Sequence, residues 1–346
     1  MKMCSTSHGI CWLVWFSVAM SLQPAWGRQD GNEGQPAVKQ DSDLPQQVDR
    51  QLYEATVRKA TKYLLNQGQN REDGSFSRQF GPAVTAMCTT ALLKNGIPAD
   101  HPQIQKSLKL IESHVQPDGG VYAPGSNLRN YETSIAVMCF VAANQQGRYD
   151  KIIEEAVGFQ KNIQWDDGEG HDQASTFYGG LGYGSHKRPD LSNTSFFMDS
   201  LKAAGEDKDS VAIQKALRFI SRTQNLSGPD NPMEFATRAT AEDRGGFIYT
   251  PVGDGESKAG KTPEGGLRSY ASMTYAGLKS FLYAGLGKDD IRVKAALDWI
   301  SRHYDLTSNP GMGKQGLHYY YHVFAKALAA HGERFVADAE GTKHNW

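Results

Sequence analysis

Five times along the chain the same unit recurs: an amphipathic helix, a Gly-rich turn, and a more uniformly apolar helix that stops at a glycine. The first helix of each unit carries apolar residues at offsets 0, 4, 7 and 11. They are Tyr53, Val57, Ala60 and Leu64; Ile104, Leu108, Ile111 and Val115; Ile152, Ala156, Phe159 and Ile163; and Val293, Leu297, Ile300 and Tyr304. The fourth copy keeps Ile213, Leu217 and Ile220. Such spacing makes one apolar stripe on a helix of 3.6-residue period. One helix pair cannot bury that stripe alone, so the units must stack.

The second helices are expected over Pro82–Lys94, Tyr131–Gln145, Ser192–Ala204, Tyr270–Ala284 and Tyr319–Ala330. Each is followed by a glycine that can close a helix: Gly96, Gly147, Gly205, Gly285 and Gly332. Runs such as Ile135-Ala136-Val137-Met138-Cys139-Phe140-Val141 are apolar on every face and belong inside. The striped helices, with Lys, Arg and Glu elsewhere, form an outer layer. Alternating outer and inner helices around a ring give an all-α fold, an α/α toroid of five helix pairs. The tail Phe335–Trp346 reads as the start of a partial sixth outer helix. Two long connections, Gln164 to Pro189 and Asn225 to Gly266, both lead into inner helices and should share one rim.

The ends of the chain read differently. Lys2 followed by the apolar run Ile10–Met20 and the small residues Ala25 and Gly27 has the form of a signal peptide over residues 1–27. Export, periplasmic or extracellular, with cleavage near Gly27, is the expectation. The run is short for a stable membrane span. Residues 28–50, rich in Gln, Asp, Gly and Pro, lack the apolar content of a core and read as a disordered leader to a repeat domain over 51–346. With 37 basic and 38 acidic side chains and no basic stripe, the chain has no nucleic-acid footprint. Cys88 and Cys139 occupy matching places in inner helices and read as small buried hydrophobes, with a disulfide between them as the alternative in an exported chain.

Three turns carry a family likeness. They are Asp73-Gly74-Ser75-Phe76, which follows Gln67 and Gln69; Gln116-Pro117-Asp118-Gly119-Gly120-Val121-Tyr122; and Arg244-Gly245-Gly246-Phe247. They resemble the Gln…Asp-Gly-Gly/Ser-aromatic turns of the prenyltransferase and squalene-cyclase repeat superfamily, over about Tyr53 to Trp346. The turn residues themselves are structural: Asp accepts backbone hydrogen bonds and Gly supplies positive φ. The resemblance implies a toroid whose inner-helix N-termini surround an apolar cavity that in the enzymes receives isoprenoid chains.

The chemistry of those enzymes is not legible here. Hopene-type cyclases use an Asp-x-Asp-Asp acid, which the chain lacks. Trp165-Asp166-Asp167-Gly168-Glu169-Gly170-His171-Asp172 is the nearest acidic cluster, and with Glu132 it supplies the weak catalytic candidates Glu132, Asp166, Asp167 and His171. Protein prenyltransferases resemble the chain in their repeats and hold zinc through Asp, Cys and His. No Asp-x-Cys element occurs, and His318 and His322, at i and i+4, lack an intervening Glu, so no metal or other cofactor is expected. The Gly179-Gly180-Leu181-Gly182-Tyr183-Gly184 run has no strand before it and reads as plain turn backbone.

What recurs is a polar and aromatic cluster opening the inner helices: Arg129, Tyr131, Glu132 and Thr133; Asn193, Thr194 and Ser195; Arg268, Tyr270 and Ser272; His318, Tyr320, Tyr321 and His322. Helix N-termini favour anionic or polar groups, and aromatic walls suit an apolar body. Arg129, Tyr131, Glu132, Asn193, Arg268, Tyr270, His318, Tyr320 and His322 are therefore the candidate ligand-binding set. The expected function is binding of a hydrophobic, isoprenoid-like molecule or a protein partner at the toroid mouth. An isoprenoid transferase or terpene cyclase with non-standard catalytic residues, or a polysaccharide-active toroid enzyme, stands as the alternative.

Overall fold

The computed structural model describes residues 49–184 and 187–346. The signal peptide and most of the leader expected from the sequence lie outside them. Eleven α-helices are described: α1 (Arg50–Tyr63), α2 (Pro82–Lys94), α3 (Pro102–Glu112), α4 (Arg129–Ala143), α5 (Asp150–Asn162), α6 (Leu191–Ala203), α7 (Val211–Ser221), the short α8 (Glu234–Thr237), α9 (Ala271–Tyr283), α10 (Ile291–Arg302) and α11 (Leu317–His331). Asp49 accepts a hydrogen bond from the Leu52 amide, so the first helix begins at Arg50, inside the segment expected to be leader. The inner helices α2, α4, α6, α9 and α11 pack each against the next. The outer helices α3, α5 and α10 lie against the inner helix that precedes each, and α7 lies against both α6 and α9. This is the α/α toroid that the stripe and the glycines imply.

Two repeated hydrogen-bond staples explain why the units are alike. A glutamine closing an outer helix donates from its amide both to a turn glycine carbonyl and to a carbonyl in the first turn of the next outer helix. Gln69 reaches Gly74 and Gln103, Gln164 reaches Gly179 and Ala212, and Gln224 reaches Gly245 and Arg292. A threonine in the first turn of an inner helix accepts from the turn backbone: Thr85 from Phe76, Thr133 from Val121, Thr194 from Leu181 and Thr274 from Phe247, at 3.0–3.1 Å. Each staple satisfies buried backbone groups where the chain leaves regular structure. Gly179 and Gly245 stand where the turn touches the neighbouring outer helix. At both, φ is positive, and a Cβ would come within 1.8 Å of the Lys215 carbonyl oxygen or 2.1 Å of the Ala295 carbonyl oxygen.

The glycines after α2, α4, α6, α9 and α11 all have positive φ, as expected of helix closures. The two long connections do share a rim: the Leu191 amide donates to the Tyr249 carbonyl at 2.8 Å, and the Thr250 hydroxyl to the Pro189 carbonyl at 2.8 Å. The expectation for the tail differs. The tail is not helical; β1 (Phe335–Ala337) and β2 (Lys343–Asn345) form an antiparallel hairpin. Asp338 holds its turn by accepting from the Glu340 and Thr342 amides, and the His344 ring stacks on Tyr304 of the fifth outer segment at 4.3 Å. Cys139 is a buried free thiol, so the Cys88–Cys139 disulfide is not formed. No helix among the described residues is long and apolar enough to cross a membrane.

Candidate functional site

Trp165 and Glu169 of the acidic loop line one pocket with Arg129 at the start of α4, but Asp166 and His171 are engaged elsewhere. Asp166 caps a turn over Asp167–Glu169, accepting from the Gly168 amide at 2.7 Å, and its other oxygen meets the Lys215 ammonium of outer helix α7 at 2.5 Å. Burial works against its ionisation, but the Lys215 contact outweighs it and holds the carboxyl below its ordinary range. A carboxylate so stabilised is a poor proton donor. Asp167 is exposed. His171 stacks on Phe177 at 4.5 Å, meets Trp165 edge-on at 5.0 Å, and shares a 2.8 Å hydrogen bond with Ser175. Asp166 and His171 thus serve the loop.

The mouth residues divide. Glu132 is buried in the first turn of α4, with its two oxygens accepting from the Ala123 amide (2.7 Å) and the Ser126 hydroxyl (2.9 Å). Burial raises its pKa, yet its lone pairs are engaged in holding the preceding turn. Arg129 lies over Tyr122 at 5.5 Å. Thr133 and Thr194 are the staples described above. Tyr320 points into the outer layer, donating to the Asp305 carbonyl at 2.8 Å and packing on Tyr275. Tyr321 donates to the Leu306 carbonyl, and the Ser272 hydroxyl accepts from Asn309. Ser195 is buried within α6, its carbonyl 3.4 Å from the Lys279 ammonium. Arg268 is exposed on its loop. His318 stands in the first turn of α11, edge-on to Tyr321 at 6.4 Å. No cluster of three or more His, Cys, Asp or Glu side chains suited to a metal ion occurs among the described residues.

Tyr131, Tyr270 and His322 do converge, on residues the sequence reading passed over. Phe196 of α6 is the hub: Tyr131 meets it edge-on at 5.1 Å, Tyr319 stacks on it at 6.1 Å and His322 at 6.3 Å. The Tyr319 hydroxyl lies 3.0 Å from that of Ser192. Tyr131, Ser192 and Tyr319 are only partly buried, and the residues on either side of Tyr131 and Ser192 are fully buried. Above them sits Asp190, the cap of α6. Its oxygens accept from the Asn193 amide and side chain, each at 2.8 Å, and the Tyr249 hydroxyl hydrogen-bonds it. Burial raises its pKa to about 6 against these bonds. Tyr270, buried at the start of α9, is raised first by burial and then by Tyr319 and Asp190 nearby. Asn193 is thus a capping partner. The sequence Asp190-Leu191-Ser192-Asn193 has the first acid of an Asp-x-Asp-Asp pattern, with Ser and Asn in place of the last two.

Beneath the aromatic residues lies a second group that the apolar reading of the inner helices overlooked. Asp199 of α6, almost wholly buried, bridges Lys279 of α9 at 2.8 Å and Lys326 of α11 at 2.9 Å. The two ammoniums pull its pKa down to about 2 despite burial, while burial lowers Lys279 to about 8. His322 is held well below its ordinary range, chiefly by burial and then by Lys326, and is neutral at pH 7. Charges inside helices that otherwise offer no solvent face were the available signal: Met198-Asp199-Ser200 and Leu278-Lys279-Ser280.

A family model described as the squalene-hopene cyclase C-terminal domain matches residues 52–241. No curated protein matches the chain. Among solved structures, the chain is similar to ent-copalyl diphosphate synthase from Streptomyces platensis, at 15% identity and a TM-score of 0.52, over 94% of this chain and 50% of that one. It is also similar to a protein from Actinoplanes, at 13% identity and a TM-score of 0.52, over 93% of this chain and 90% of that one. The chain therefore spans about half the length of the synthase, and at these identities the likeness is one of fold.

Proposed function

The chain belongs to the squalene-hopene cyclase C-terminal domain family, and we propose that it uses the helical ring to hold an apolar, isoprenoid-like molecule against the aromatic wall of Tyr131, Phe196 and Tyr319. The observation that carries this reading is the incomplete burial of Tyr131 and Tyr319 around Phe196. Large aromatic rings left part-covered on interior-facing helices offer an apolar body a surface with little side-chain entropy to lose. Protonation of an alkene fits the site less well. Asp190 is one acid where the motif has three, its two oxygens are engaged by Asn193, and a carboxyl with a pKa of about 6 is a weak donor to so weak a base. The reading includes export, with residues 1–27 removed as a signal.

One observation favours a second reading, a cyclase or transferase acting through Asp190: that carboxyl holds its proton to about pH 6 at the inner-helix ends. Mass spectrometry of what copurifies with the purified chain separates the readings. An unmodified isoprenoid-type lipid in near-stoichiometric amount is the expected result. A cyclised product formed from added squalene or geranylgeranyl diphosphate, and lost in Asp190→Asn, would establish turnover; a copurifying glycan or protein in place of lipid would overturn the apolar-ligand reading.

A further inference from the structure

Ser192, in the first turn of α6, and Tyr319, in the first turn of α11, bring two hydroxyls to within 3.0 Å of each other at the edge of the aromatic wall. Both residues are partly buried, and neither hydroxyl makes another hydrogen bond among the described residues. Two hydroxyls carry two protons, and the bond between them uses one. Whichever donates, the pair keeps one O–H free. The Tyr319 ring stacks on Phe196 at 6.1 Å and Tyr131 meets Phe196 edge-on at 5.1 Å, so that free O–H borders apolar surface. Ser192 precedes Phe196 by about one helical turn, roughly 6 Å at 1.5 Å per residue. An apolar molecule lying on the wall reaches the pair.

Covering the wall expels the water that would satisfy the free O–H, and a donor left dry without a partner is penalised. A ligand that brings its own oxygen acceptor avoids that penalty; a pure hydrocarbon does not. An anionic oxygen would also accept, but the helix end already serves an acid. The Asp190 carboxyl, two residues before Ser192, accepts from the Asn193 amide at the N-terminus of α6 and is ionised above about pH 6. Arg188, the cation closest to it in sequence, is paired with Glu256 and lies 5.8 Å over the Tyr249 ring. A second negative charge at the hydroxyl pair would be set beside the Asp190 charge. We propose that the Ser192–Tyr319 hydroxyl pair is the head-group site of the wall, and that it selects an isoprenoid-type molecule ending in a neutral oxygen, an alcohol or a carbonyl, over both a hydrocarbon and a diphosphate. The inference rests on the apolar-ligand reading and adds the head group to it. Ser192 and Tyr319 set the specificity, and Phe196 and Tyr131 supply the area.

The test is equilibrium binding to the full chain near pH 7, in one non-ionic detergent, of three probes: geranylgeraniol, geranylgeranyl diphosphate, and phytane as the saturated hydrocarbon of the same chain length. Geranylgeraniol should bind at least about fivefold more tightly than either of the others. The double variant Ser192→Ala with Tyr319→Phe keeps the stacked ring and removes both hydroxyls together, a change that costs the fold little. It should bind geranylgeraniol and phytane alike, with the affinity for phytane unchanged; Ser192→Thr, which keeps a hydroxyl, should retain the preference. A preference for the alcohol that survives in the double variant, a parallel loss of phytane binding there, or equal binding of the alcohol and either other probe by the unmodified chain overturns the head-group site and leaves the wall standing. No saturable binding of any of the three overturns the apolar-ligand reading and the head-group site together.

Discussion

At the scale of single residues, Asp199 and Asp190 have opposite consequences for stability. Asp199 has a folded-state pKa near 2, below its ordinary value of 3.8, because two ammoniums face it. Its contribution is present above about pH 4 and is lost as pH falls toward 2. Asp190 is raised to about 6 by burial, so its contribution is lost as pH rises from about 4 to 6. Asp199→Asn should cost about 3–5 kcal/mol at pH 7, since it strands buried ammoniums, and it should flatten the acid limb of the stability profile measured by urea unfolding. Asp190→Asn should improve relative to the unmodified chain as pH rises from 4 to 7, read as the difference in Tm. Equal pH profiles for either variant and the unmodified chain would contradict these assignments. Neither residue was legible as a site: Asp190 reads as an ordinary helix cap, and Asp199 sits in a helix whose apolar neighbours fix its burial without revealing its partners.

At the scale of elements, the stripe, the closing glycines and the Gln turns were legible because they repeat and because local periodicity determines which face is buried. The inner-helix starts were legible only in part. Thr133, Thr194 and Glu132 share the mouth but turn back to hold their own turns, and Tyr320 faces the outer layer; composition at a helix end does not tell which way each side chain points. The tail was misread because Phe335, Val336 and Trp346 fit a helical stripe as well as a hairpin, whereas Asp338 and Gly341 decide the turn. The staples give direct predictions. Gln224→Ala removes two hydrogen bonds to buried or part-buried carbonyls and should cost about 2–3 kcal/mol. Gly179→Ala must displace the Lys215 carbonyl and should cost more than about 3 kcal/mol, against about 1 kcal/mol for Gly96→Ala, where no atom lies within 4 Å. Urea unfolding that ranks the two glycine variants equally would contradict the close-approach account.

At the scale of the whole molecule, the ring combines a part-covered aromatic wall with a charged floor, and the acids along its axis are capped or ion-paired. On the proposed reading, that arrangement holds a ligand rather than donating a proton. The most direct measurement is equilibrium binding of geranylgeraniol to the purified chain, followed by product analysis of the same samples. Saturable binding, weakened at least tenfold in Tyr319→Ala and in Phe196→Ala, with the lipid recovered unchanged, is the result expected. Absence of saturable binding, or conversion of the lipid that Asp190→Asn abolishes, would contradict it.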